Sequence, residues 1–166
     1  MRVEDSNALR FILQDDIYLL NEDKSSFGGT AGHQHELETR PPAFKYLGAN
    51  KKHFVILVNY DDQEFMQEDH LVALESVLDR LGLTSDDTAI LNMAGQNARY
   101  DQIIAHFNPK KLVVLGENAM PVGAANLKSN NMVIINGVKT LLTYSFDEMM
   151  SNIVNKKAFW DQMKNI

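Results

Sequence analysis

The chain of 166 residues is the size of one ordinary domain, long enough to bury a core without cross-links. Hydrophobic residues at 45% and charged residues at 23% give the balance of a globular fold, which argues against disorder of the whole chain. The absence of cysteine excludes disulfides, Cys-ligated zinc, iron–sulfur clusters and thiol catalysis, and a net charge of −6 leaves no electrostatic footprint for phosphate.

The opening MRVEDSNALRFIL places Glu4 and Asp5 ahead of a short apolar-leaning run, so it reads as neither a signal peptide nor a transit peptide. No stretch approaches the ~20 apolar residues that a membrane helix needs. The expectation is a soluble, cytoplasmic protein with no membrane contact.

In chain order, residues 4–20 are apolar-rich and short. Leu9, Ile12 and Leu13 share one helical side, and Ile17 and Leu19 alternate with Tyr18 and Leu20 in extended form. Residues 21–52 are loop-like: NEDKSSFGGTAGHQHELETRPP holds three glycines, two prolines and many polar residues. The organisation expected is an N-terminal recognition segment and linker over 1–52, followed by an α/β/α domain over 53–166.

Within that domain, His53–Tyr60 contains FVILVN, a continuous apolar run of the kind buried on both faces of a parallel sheet. Leu71, Leu74, Leu78 and Leu81 form one face of a helix from about Gln67 to Leu81, and Gly82 is a favourable stop. Thr88–Asn92 reads as a second strand. Tyr100, Ile103, Ile104 and Phe107 then make a helical stripe that ends at Asn108-Pro109.

Lys111–Leu115 is a third buried strand, and Asn118–Ala125 reads as a short helical piece. Asn136-Gly137 between two β-prone runs signals a hairpin, with a strand over 139–143. Ser145–Met150 and a helix near Asn155–Lys164 close the chain, the latter with Phe159, Trp160 and Met163 on one face. Trp160 reads as a core anchor. The alternation predicts a three-layer α/β/α domain with a mainly parallel sheet.

Ligands of doubly wound sheets sit outside the carboxyl ends of the strands. Those ends carry Asn59-Tyr60-Asp61-Asp62, Asn92-Met93, Gly116-Glu117-Asn118 and Thr143-Tyr144-Ser145, so Asn59, Asp61, Asn92 and Ser145 are the candidate pocket. Asp61 and Asp62 suit a general base or Mg²⁺ ligands, or they open a turn and cap the next helix. No acid/base partner stands beside them in sequence.

His33-Gln34-His35-Glu36 offers half of a metal site but no firm third ligand, so no metal and no cofactor are expected. Phe27–Gly32 lacks the Lys-Ser/Thr ending of a phosphate loop, and no G-x-S-x-G elbow occurs. No catalytic residues are assigned. The basic pairs Lys51-Lys52, Lys110-Lys111 and Lys156-Lys157 read as solvated ends of strands and helices, and direct nucleic-acid binding is not indicated.

The run VVLGENAMPVGAANL, the hairpin, LLTYSFDEMM and NKKAFWDQM together resemble the second half of a uracil-DNA glycosylase-like domain. Gly116, Ala119, Thr143, Lys157 and Trp160 match its pattern. The enzymes carry His-Pro after the final strand, where this chain has Tyr144-Ser145-Phe146. Without that histidine the departing uracil anion loses its stabilising donor.

A non-enzymatic branch of that fold is closer. ALRFILQDDIYLLNED, FVILVN, LVALESVLDRLGLTSDD and KKAFW look like the psi-subunit family of the bacterial DNA polymerase III clamp loader. That resemblance implies a protein–protein adaptor in DNA replication, with residues 4–20 engaging the clamp loader through Leu9, Ile12, Leu13, Ile17, Tyr18 and Leu19. The competing reading is a nucleotide- or nucleic-acid-binding enzyme with a rearranged site on Asn59, Asp61 and Ser145. A deep polar pocket at the strand ends would favour the enzyme, and a cleft filled by Tyr60, Phe65 or Tyr144 would favour the adaptor.

Overall fold

The computed structural model describes residues 43–96, 98–124 and 127–166. The residues named for the N-terminal recognition segment, the Gly-rich stretch and His33–Glu36 lie outside them. The described part belongs to one unit, Thr39–Ile166.

Its elements are β1 (Tyr46–Gly48), β2 (Phe54–Val58), α1 (Glu68–Arg80), β3 (Thr88–Asn92), α2 (Tyr100–Phe107), β4 (Lys111–Leu115), β5 (Asn131–Ile135), β6 (Val138–Thr143), α3 (Phe146–Ser151) and α4 (Ile153–Met163). Among the described residues the strands form a six-stranded sheet in the order β1-β3-β2-β4-β6-β5. No helix among them is long and apolar enough to cross a membrane.

The four strands expected from the apolar runs form the middle of this sheet and are mutually parallel. The edges are antiparallel, so the sheet is mixed where the sequence suggested a mainly parallel one. At one edge the cause is the Asn136-Gly137 turn. Both residues take positive φ, 51° and 84°, which fits a tight two-residue hairpin and turns β6 back along β5.

At the other edge β1 pairs with β3 through Tyr46↔Leu91 and Gly48↔Ala89, although its residues read from sequence as the end of a linker. Three residues with one glycine carry too little periodicity to register as a strand.

Strand β2 is buried at all five positions, and successive side chains point to opposite faces. Phe54, Ile56 and Val58 pack with Leu74 and Leu78 of α1, Phe146 and Met149 of α3, and Phe159 and Met163 of α4. Val55 and Leu57 pack on the other face with Ile103 and Phe107 of α2 and with Ala119. Helices thus cover both faces of the sheet.

Helix α1 ends as its leucine spacing and Gly82 predict. Gly82 takes φ +69°, its N–H reaches Asp79 O at 3.0 Å, and Leu83 N–H reaches Leu78 O at 2.9 Å. Helix α2 stops at Asn108, which adopts the left-handed conformation just before Pro109.

Two expectations need correction. Of the expected 118–125 helix only Asn118 and Ala119 are helical, within a turn of 3-10 helix over Glu117–Ala119; residues 120–124 that follow it are not helical. Trp160 is half-buried, whereas Phe159 and Met163 anchor α4 in the core. A helix of this length packs only part of its circumference, and Trp160 lies at the margin of that stripe.

Gly48, the last residue of β1, packs against the turn before β3 and has no room for a side chain. At φ +92°, a Cβ would stand 2.2 Å from Thr88 O and 2.5 Å from Ser85 O. Gly82 is also left-handed, but a Cβ there would meet nothing within 4 Å, so it serves as the control. Gly48→Ala is expected to cost about 2–3 kcal/mol, and Gly82→Ala only about 1 kcal/mol, read from urea denaturation midpoints. Equal losses at the two positions would mean that the β1 junction yields to the methyl group.

Candidate functional site

The carboxyl ends of β2, β3, β4 and β6 lie along one edge of the sheet because these strands are parallel. From β2 the chain leaves toward β3, and from β4 it leaves toward β5, which lies beyond β6 on the opposite side. Diverging connections at adjacent strands open a crevice, the usual place for ligands in such sheets. A cavity of about 580 Å³ lies there, lined by Asn59 after β2, Leu115–Asn118 after β4, and Thr143–Ser145, Asp147 and Glu148 at the β6–α3 junction.

Gly116 allows β4 and β6 to end side by side. It takes φ +90°, donates its N–H to Thr143 O at 2.9 Å, and faces Ser145 so closely that a Cβ would lie 3.1 Å from Ser145 Cβ. The crevice wall at this point is therefore backbone and β-carbon, with no functional group between them.

Of the four residues proposed for this pocket, the fold brings Asn59 and Ser145 to its lining. Ser145 is the N-cap of α3. Its Oγ accepts from Glu148 N–H at 3.3 Å, and its own N–H donates to Glu148 Oε2 at 2.8 Å. This reciprocal arrangement satisfies the helix start and ties up both side chains. Asn59 donates through Nδ2 to Asp61 Oδ1 at 3.1 Å. Asp61 itself is exposed and is not part of the lining.

Asn92 is buried and belongs to the framework. Its Oδ1 accepts from Tyr60 N–H at 2.9 Å and Ala94 N–H at 3.2 Å. Its Nδ2 donates to Tyr60 O at 3.0 Å and Gln63 O at 2.7 Å. One amide thus holds the whole turn after β2 against the end of β3. That use was not apparent from its place at a strand end, where the sequence offered it as a ligand.

Tyr144 lines the cavity, while Tyr60 and Phe65 do not, so the crevice is neither filled by aromatic rings nor free of them. The Tyr60 hydroxyl lies 2.8 Å from His70 Nδ1. Burial, reinforced by the charge of Asp147, pushes the Tyr60 phenol well above its usual range, so it stays protonated and acts as a hydrogen-bonding group. His70 is buried, stacks on Phe146 at 5.4 Å between centroids, and approaches Asp147 at 3.9 Å.

Sequence reasoning passed over His70, although it stands four residues before Leu74 and so falls on the buried stripe of α1. It also passed over the acidic character of the crevice. Glu117, Asp147 and Glu148 contribute three carboxylates to the lining and no basic residue balances them. Among the described residues no group of three or more His, Cys, Asp or Glu is arranged to hold a metal ion.

Chemically, the crevice offers carboxylates engaged in or next to a helix cap, and a serine whose hydroxyl is held by one of them. No protein-family model matches the chain, and no curated protein matches it.

Asn92→Ala removes four hydrogen bonds and leaves the Tyr60 N–H without its partner. The expected loss is about 2–3 kcal/mol of stability, with faster amide exchange at Tyr60 and Gln63, measured by denaturation and by NMR hydrogen exchange. An unchanged exchange rate would show that the turn after β2 is held by other contacts.

Proposed function

We propose that the chain is a non-enzymatic protein–protein adaptor with a uracil-DNA glycosylase-like fold, similar to the psi subunit of the bacterial clamp loader and working in the cytoplasm in DNA replication. The observation that carries this reading is the use of the strand-end residues. Ser145 and Glu148 cap one another, Asn59 bonds Asp61, and Asn92 is consumed by the turn after β2. A group acting in catalysis needs a proton to take or give at a reacting atom, and these are committed to the fold.

The enzyme reading draws support from the position and polarity of the crevice. Its charge speaks against it. Three carboxylates beside the cavity repel a phosphate-bearing ligand, and a nucleic acid brings many phosphates. By resemblance, the contact with the clamp loader falls to residues 4–20, through Leu9, Ile12, Leu13, Ile17, Tyr18 and Leu19.

The test is reconstitution with the clamp-loader assembly from the same cells, followed by gel filtration. Co-elution of the full chain is expected, with its loss on deletion of residues 1–20 and no change in the melting temperature of the α/β unit. Excision of uracil from DNA by the purified protein, abolished by Asp61→Ala, would overturn the reading.

A further inference from the structure

On the sheet face opposite α2, a groove of about 400 Å³ runs between α1 and the α3–α4 pair. Its floor is apolar: Ala73 and Val77 from α1, Met149 and Met150 from α3, and Ile153, Phe159 and Trp160 from α4. Ile153 is 81% exposed and Met150 58% exposed, unusual values for large apolar side chains that adjoin one another.

The rim carries Arg80, Lys156 and Lys157, and no carboxylate is among the lining residues. The whole chain has net charge −6, so three cations gathered around one apolar trough are a local reversal of its electrostatics. Arg80 lies over the Trp160 ring at 5.9 Å, which holds its guanidinium at the groove mouth.

We propose that this groove docks an acidic amphipathic helix of a partner protein. Such a helix presents apolar anchors at i, i+3 or i+4, and i+7, spanning about 11 Å, while carboxylates flanking that stripe meet the rim cations. The apolar floor supplies the affinity. The cationic rim supplies the choice of an acidic over a basic helix and speeds the encounter. The inference rests on the adaptor reading, to which it adds a second contact surface and the chemistry of its occupant.

The protein contains one tryptophan, Trp160, so its fluorescence reports on this groove alone. The probe is a synthetic amphipathic helix of about 18 residues with Leu and Phe on one stripe and Glu beside it. Its control is the same peptide with Lys in place of every Glu. Titration of the full chain with the acidic peptide is expected to shift Trp160 emission saturably, more weakly as salt is raised, and the basic peptide is expected to leave it unchanged.

Lys156→Glu with Lys157→Glu, and separately Ile153→Ser, change exposed side chains outside the core and are each expected to weaken binding about tenfold or more. Circular dichroism confirms that these variants fold. Equal binding of acidic and basic peptides, or indifference to the three substitutions, overturns the proposal. Concentration-dependent dimerisation abolished by Ile153→Ser also overturns it, since the occupant would then be a second copy. If the peptide fails while the clamp-loader assembly still co-elutes with all variants, the groove proposal falls and the adaptor reading stands.

Discussion

The double-sided burial of β2 is the constraint from which the remaining features follow. Each of Phe54, Val55, Ile56, Leu57 and Val58 is buried, and alternate residues serve different cores. Five consecutive apolar side chains leave no face for water, so both faces must be covered by helices and both edges paired. Strands β3 and β4 take those edges in parallel register. Each connection must then cross a face of the sheet, and α1 and α2 make those crossings on opposite sides.

Two of the concavities among the described residues have opposite chemistry. The crevice at the strand carboxyl ends is polar and acidic, and its side chains close helix ends and turns. The groove between α1, α3 and α4 is apolar with a cationic rim, and its exposed methionine and isoleucine are left over after the core is filled. Stability explains the first arrangement. The capping box that Ser145 and Glu148 make is worth on the order of 1 kcal/mol. Stability does not explain the second, since Ile153 and Met150 contribute little burial where they stand, and it is on this surplus of exposed apolar surface that the docking proposal rests.

Much of the fold was legible because its signals are local. The FVILVN and KLVVL runs, the leucine spacing of α1, Asn108-Pro109 and Asn136-Gly137 each act within a few residues, and each sits where its chemistry requires. β1 was not legible: Tyr46–Gly48 becomes a strand only because Leu91, Ile90 and Ala89 present a free edge to it. The site was legible in position but not in role. Strand ends could be located from the apolar runs, and of the four residues named there Asn59 and Ser145 line one crevice while Asp61 and Asn92 do not. That Asn92 would bond Tyr60 and Gln63, far back in the chain, is a tertiary fact with no periodicity to betray it. The groove was equally hidden, because Trp160 and Phe159 are neighbours in sequence yet differ in burial.

The most direct test of the proposed adaptor role is hydrogen–deuterium exchange of the full chain, alone and with the clamp-loader assembly. Protection is expected over residues 4–20 and, where the groove is also engaged, in the second half of α1 and across α3 and α4, with the peptides bearing Asn59, Gly116 and Glu117 unchanged. Protection confined to those strand-end peptides, or induced there by uracil-containing DNA alone, would contradict it.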